Sequence, residues 1–131
     1  MKGTCLCGGV TITVPELSEM DACLCGTCRR WGGGPFMTVH AGPGIQVEGQ
    51  EKVKAYRSSS WAERAFCADC GTHLYYHLLP NDHHMLAAGL FDESVGFAFT
   101  RQIFVDKKPG NYAFANATEQ LTEAQVFAKS S

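Results

Sequence analysis

The sequence predicts a mostly β, zinc-binding single domain over residues 1–131, ending in a short C-terminal helix. Three observations predict it. Short runs rich in β-branched and aromatic residues recur between Gly, Pro and Ser breaks, which favours small antiparallel sheets over βαβ units. Helix signals are scarce, and the clearest lies near the C-terminus. The seven cysteines stand in three tight groups: Cys5-Leu6-Cys7, Cys23-Leu24-Cys25-Gly26-Thr27-Cys28 and Cys67-Ala68-Asp69-Cys70-Gly71. Neighbouring sulfurs within such groups can bend onto one ion.

The elements follow in order. Val10-Thr11-Ile12-Thr13-Val14 alternates before Pro15 and reads as a strand. Phe36-Met37-Thr38-Val39 precedes the Gly42-Pro43-Gly44 turn. Ile45-Gln46-Val47, Val53-Lys54-Ala55-Tyr56, Ala65-Phe66, Leu74-Tyr75-Tyr76 and Gln102-Ile103-Phe104-Val105 continue the pattern. Met85–Leu90 is apolar without alternation and suits a buried strand. A turn of helix is expected over Arg29-Arg30-Trp31 before Gly32-Gly33-Gly34 breaks it. Thr122 and Gln125 form a capping box that opens a helix over 123–128. No repeat or low-complexity linker divides the chain, so the cysteine groups share one domain.

Charge and hydropathy narrow the function classes. Eleven Lys and Arg against thirteen Asp and Glu leave a net charge of −2, which opposes a nucleic-acid footprint. There is no basic segment leading into an apolar export signal, and no apolar run spans a bilayer, so no membrane role is expected. The expected compartment is the cytoplasm, where clustered thiols stay reduced and favour metal over disulfides. An odd cysteine count points the same way, since pairwise oxidation would strand one thiol.

Cys67-x-x-Cys70-Gly71 is a zinc-knuckle pattern, its glycine letting the turn close through a positive φ. In a strand, Cys5 and Cys7 would face one side. These two pairs can make a closed four-sulfur site that supplies folding energy. Cys23, Cys25 and Cys28 would then form a tripod whose zinc keeps a fourth position for chemistry. Spacing alone leaves other partitions open, with Cys25 and Cys28 joining either Cys67 and Cys70 or Cys5 and Cys7. It also leaves open a histidine closing the tripod, from among His40, His73, His77, His83 and His84. The plainer reading of each histidine is an ordinary strand or surface residue.

At these residues the chain resembles the glutathione-dependent formaldehyde-activating enzyme (GFA) family, the S-(hydroxymethyl)glutathione synthase group. The likeness rests on Gly3-Thr4-Cys5-Leu6-Cys7-Gly8-Gly9-Val10, Cys23-Leu24-Cys25-Gly26-Thr27-Cys28-Arg29, Tyr56-Arg57-Ser58-Ser59 and Phe66-Cys67-Ala68-Asp69-Cys70-Gly71-Thr72, with weaker echoes in Gly89-Leu90-Phe91-Asp92 and Ile103-Phe104-Val105. The resemblance implies an Mss4-like β-tent fold. It also implies structural zinc on Cys5, Cys7, Cys67 and Cys70, and catalytic zinc on Cys23, Cys25 and Cys28. One departure stands out: Leu24 occupies a position where family members often carry His.

The implied reaction joins a small thiol such as glutathione to formaldehyde, as a carbon–sulfur lyase run in either direction. Arg29 is the side chain expected to pair with a substrate carboxylate, through its planar fork. The competing reading of Arg29 and Arg30 is a solvated helix face, and of Trp31 a core aromatic. Two rivals to catalysis are a non-catalytic zinc-stabilised interaction module and a redox sensor using Cys25-x-x-Cys28. A DNA-binding zinc ribbon is opposed by the charge balance.

Overall fold

A computed structural model describes residues 1–130. In chain order the strands are β1 (Lys2–Thr4), β2 (Thr11–Thr13), β3 (Glu19–Cys23), β4 (Phe36–Gly42), β5 (Gln46–Glu48), β6 (Val53–Arg57), β7 (Ala62–Cys67), β8 (His73–Leu78), β9 (His83–Ala87), β10 (Ala98–Ile103) and β11 (Glu119–Leu121). Two helices accompany them, α1 (Gly26–Gly32) between β3 and β4, and α2 (Glu123–Ser130) at the C-terminal end. The fold is therefore mostly β with a short C-terminal helix. The chain forms two compact units, Met1–Ser18 with Val39–Gly96, and Glu19–Thr38 with Phe97–Ser131.

The first unit holds a small antiparallel sheet in the order β1-β2-β5, with Gly3 opposite Ile12 and Ile12 opposite Val47. Gly3 has to be small: a Cβ there would lie 2.9 Å from the Leu90 Cβ. An eight-stranded sheet includes the run β9-β8-β7-β6, paired antiparallel, with β4 beside β9. Burial alternates along β9, where His84 and Leu86 are buried between half-exposed neighbours, as the two-residue period of a strand requires. Val10, Ile12, Val39, Leu74 and Leu86 are each fully buried and form its core. Two of the cysteines, Cys5 and Cys67, belong to the buried set as well.

The second unit orders its strands β11-β10-β3-β4. Here the structure corrects the expectation of purely antiparallel sheets: β10 is parallel to both β3 and β11. Parallel partners need a connection of roughly a dozen residues or more. Residues 104–118 provide one between β10 and β11, and most of the chain lies between β3 and β10. The predicted run through Val105 also stops early. Phe104 adopts a left-handed φ of 59°, which ends β10 at Ile103 and turns the chain into a 3-10 turn over Val105–Lys107. Arg101 donates from Nε and Nη2 to Asp21 Oδ2, at 3.1 and 2.6 Å, and pins β10 to β3.

The C-terminal helix begins as its sequence predicts. Gln125 Oε1 accepts from the Thr122 N–H at 2.8 Å, and the Thr122 hydroxyl accepts from the Gln125 N–H at 3.3 Å. That reciprocal box satisfies N–H groups the helix cannot bond itself. Phe127 meets Phe104 edge to face at 5.9 Å, fixing α2 on the turn that follows β10.

Candidate metal centres

The first donor set grows from two glycine-closed turns. Cys5, Leu6 and Cys7 lie just beyond the end of β1, not in a strand, so strand alternation is not what aligns Cys5 with Cys7. Two backbone bonds close the turn, Gly8 N–H to Cys5 O and Cys5 N–H to Val10 O, both 3.0 Å. Gly8 takes a φ of 78°, and two successive glycines make that reversal easy where a strand would need side chains. At the end of β7 the chain repeats the device. Gly71, with a φ of 77°, donates to Cys67 O at 2.7 Å, and Cys67 N–H donates to Thr72 O at 2.9 Å.

These turns bring the four sulfurs of Cys5, Cys7, Cys67 and Cys70 within 4.8 Å of one another. Cys5 and Cys7 are 3.6 Å apart and Cys7 and Cys67 3.8 Å apart, as free thiols. A tetrahedral zinc with bonds of about 2.3 Å spaces its sulfurs by about 3.8 Å. The four thiols therefore fit zinc in both donor type and spacing.

Hydrogen bonds tune this set. The Thr72 hydroxyl accepts from the Leu6 N–H at 3.0 Å, so its own proton is directed to Cys70 Sγ, 3.1 Å away. One side chain thus ties the two turns together. The Thr72 hydroxyl, seconded by the Thr72 N–H, holds the Cys70 thiol down at about 5. Cys7 moves oppositely: the Gly9 N–H lowers it, but Cys5 and Cys70 beside it prevail and push it up to about 11. Val10 N–H donates to Cys5 Sγ at 3.3 Å. Lys52 is paired with Asp69 at 3.2 Å, and the sulfurs of Cys7 and Cys67 add to the charge that holds it protonated. A cation there offsets part of the negative charge that four thiolates create.

The second donor set occupies a strand-to-helix turn. Cys23 ends β3, opposite Phe36 of β4 and Ile103 of β10, and the next residue, Leu24, donates its N–H to Ile103 O at 3.0 Å. Leu24 is buried at 1% exposure, while Cys23 and Cys25 on either side stay half exposed. Alternation at the strand end sends the leucine one way and its flanking sulfurs the other. Cys25 caps α1, its sulfur accepting from the Cys28 N–H at 3.3 Å. Cys28 lies buried in the first turn of that helix. The three sulfurs fall within 4.8 Å of one another, and no His, Asp or Glu among the described residues joins them.

The trio is electrostatically divided. Hydrogen bonds from Cys23 and then Cys28, with backbone N–H groups behind them, hold Cys25 down at about 2. Cys23, the partner on the other side of those bonds, is driven far above the ordinary thiol range. A soft divalent ion relieves that division by replacing the shared protons, and three thiolates suit zinc.

The remaining expected residues are placed as follows. Arg29 is exposed, and its Nη1 donates to Lys107 O at 3.3 Å, so the guanidinium is partly engaged. Arg30 is exposed too. Trp31 is half-buried and packs edge-on to Phe36, with ring centroids 5.3 Å apart. None of the five histidines closes the trio among the described residues. His40 and His83 bond each other at 2.9 Å, and His73 lines a shallow cavity of about 320 Å³ with Thr4, Leu6, Thr72, Gly89 and Leu90. His77 and His84 instead meet Asp82. Sequence reading missed both Thr72 and Asp82. Asp82 had a signal available, because His77 and His84 sit symmetrically about the Leu79–Asp82 turn and must face each other if that turn closes a hairpin.

One set of four thiols and one set of three, each able to hold a metal ion, stand on this mostly β scaffold. Residues 1–107 match the model of the family described as glutathione-dependent formaldehyde-activating enzyme. The chain is 36% identical over 127 residues to an uncharacterized lyase of Schizosaccharomyces pombe, covering 95% of this chain and 93% of that protein. Its structure is similar to the crystal structure of a Rhodobacter sphaeroides protein, with a TM-score of 0.62 and 26% identity over 76% of this chain and 98% of the other. The chain belongs to the glutathione-dependent formaldehyde-activating enzyme family. Among the described residues no helix is long and apolar enough to cross a membrane.

Proposed function

We propose that this protein is a carbon–sulfur lyase acting on the adduct of a small thiol and an aldehyde, with glutathione and formaldehyde as the pair the family description suggests. One observation carries the reading: Cys23, Cys25 and Cys28 converge without a fourth protein donor among the described residues. A purely structural module would use a complete set, as Cys5, Cys7, Cys67 and Cys70 do. The lyase name of the fission-yeast relative supports the same class of chemistry.

In the synthetic direction the thiol S–H adds across the aldehyde C=O. The S–C bond forms, the carbonyl π bond breaks, and the thiol proton ends on the new hydroxyl oxygen. No electrons are gained or lost, so no redox partner is needed. Zinc bound by Cys23, Cys25 and Cys28 would act as a Lewis acid that stabilises the thiolate form of the substrate. The protein's own contribution is positional. The Leu24 side chain anchors the turn in the core, and Cys25, its sulfur accepting from the backbone N–H of Cys28, stays aimed where the other two converge. Arg29 keeps most of its N–H donors beyond the one given to Lys107, and we assign it to a carboxylate of the thiol substrate. The reading places the protein in a reducing compartment such as the cytoplasm, as one catalytic domain.

Exchange spectroscopy with ¹³C-formaldehyde and glutathione tests this directly. Zinc-loaded protein should accelerate interconversion of free aldehyde and S-hydroxymethyl adduct above the buffer rate, and Cys28→Ala should not. Equal rates with and without loaded protein would remove the proposal.

A further inference from the structure

A third cluster of metal-binding side chains lies outside both cysteine sets. His77 on β8 and His84 on β9 stand directly opposite in the antiparallel register, their rings stacked at 4.1 Å and 10°. Such cross-strand neighbours share one face of the sheet. The turn between the strands returns Asp82 to the same face, with Oδ1 2.6 Å from His77 Nε2. One donor atom from each of the three lies within 4.8 Å of the others.

Two supports hold these groups in place. His84, buried at 7% exposure, has Nδ1 3.0 Å from the Gly42 carbonyl. A carbonyl can only accept, so Nδ1 carries the hydrogen and Nε2 is left as the lone-pair nitrogen. Metal-binding histidines are oriented in this way, by a carbonyl on the nitrogen that does not ligate. Asp82 caps the 3-10 turn Leu79–Asn81 with a left-handed φ of 57°, a conformation aspartate accepts more readily than most residues. Asn81 Oδ1 secures that turn by accepting from the His83 N–H at 3.1 Å. Tyr75 walls the cluster, edge-on to His84 at 5.1 Å.

We propose that His77, Asp82 and His84 form a third binding site, for a divalent transition metal such as zinc. Two imidazoles and one carboxylate suit zinc, nickel, copper or iron rather than the hard, oxygen-seeking calcium and magnesium. The site uses none of the thiolates. With three protein donors and an exposed aspartate, it holds its ion more loosely than the four-thiolate set and exchanges it with solvent.

The experiment starts from protein whose two cysteine sets are already zinc-filled. Zinc chloride is titrated in, with native mass spectrometry counting ions and long-range ¹H–¹⁵N spectra following the imidazole nitrogens. A third zinc should bind, and the ring nitrogens of His77 and His84 should shift with it. Asp82→Asn and His77→Gln should each weaken that third ion by at least ~10-fold, the scale of disrupted ligand shells. His83→Gln should leave it unchanged, because His83 points to the opposite face and meets His40. The wild-type spectra do not depend on any variant folding. Binding of only two zincs, shifts confined to other histidines, or unchanged affinity in a folded His77→Gln protein would each overturn the proposal.

Discussion

Removing one sulfur from the four-thiolate set should destabilise the fold far more than removing one from the trio. Cys70→Ala deletes a donor from a group that joins the turn after β1 to the turn after β7, and Cys7 and Cys67 are separated by 60 residues. Closing a loop of that length in the unfolded chain removes conformational entropy worth about 4 kcal/mol. That is a large share of the ~5–15 kcal/mol by which domains are stable. For a chain of this size it corresponds to a fall in melting temperature of about 10–20 °C. Cys23→Ala removes a donor from three sulfurs within one short segment, where a cross-link closes only small loops and restrains the unfolded chain little. Its melting temperature should fall by no more than about 5 °C. Circular-dichroism melts of zinc-loaded wild type and both variants, with zinc counted by native mass spectrometry, measure the contrast. Equal losses, or a Cys70→Ala protein that melts with the wild type, would refute the assignment of folding energy to the first set.

Thr72→Val removes the hydroxyl shared by Leu6 N–H and Cys70 Sγ, and should lower stability by about 1–2 kcal/mol in denaturant titrations. The same bond sets a pH dependence. Cys70 has a folded pKa of about 5, below the ordinary thiol value of 9.0, so its stabilisation is present above pH 9 and lost as the pH falls through 5. Chelator-treated protein should therefore melt progressively lower between pH 9 and 5, and Thr72→Val should flatten that slope in the same assay. Gly49→Ala should destabilise strongly, by more than about 3 kcal/mol. Its Cβ would lie 2.0 Å from the Gly9 carbonyl oxygen at a φ of 82°, and a calorimetric melt shows the loss. Arg101→Ala should weaken zinc retention by the Cys23 set while sparing the four-thiolate set, because Arg101 holds β3 through Asp21; stepwise chelator competition separates the two.

What the sequence reveals is whatever is encoded locally. The knuckle at Cys67–Gly71 is legible because its glycine and its spacing are one device, closed by bonds within six residues. The Thr122–Gln125 capping box is legible for the same reason. The alternation of Val10–Val14 marks β2, whose Ile12 is fully buried. Long-range pairings were not legible. β3, Glu19–Cys23, alternates but carries two carboxylates and no β-branched residue, and its place is set by pairing with β4 and with β10, where Arg101, eighty residues on, meets Asp21. The parallel placement of β10 is a pairing with residues about eighty positions earlier, which its own composition does not encode. Phe104 reads as a strand residue by propensity, but it stands in a left-handed turn, its ring edge to face with that of Phe127. At the sites, the three cysteine runs are plain from spacing, but their partition into four and three is not: spacing leaves other pairings open, the family resemblance implies this one, and the route by which Cys5 and Cys7 converge is not legible either. Two glycines make that route a turn, a choice fixed only when Val10 closes back on Cys5. The histidines illustrate the same limit: their identities are plain in the sequence, but their partners depend on a hairpin register.

The central claim is that the second metal has three protein sulfurs and one corner for substrate. Cadmium-113 NMR of the doubly cadmium-substituted protein measures it most directly. The account predicts two resonances, one in the four-sulfur range that ignores added glutathione and one at lower sulfur count that moves when glutathione is added. Two resonances that both ignore the thiol, or a second metal already held by four protein donors, would contradict it.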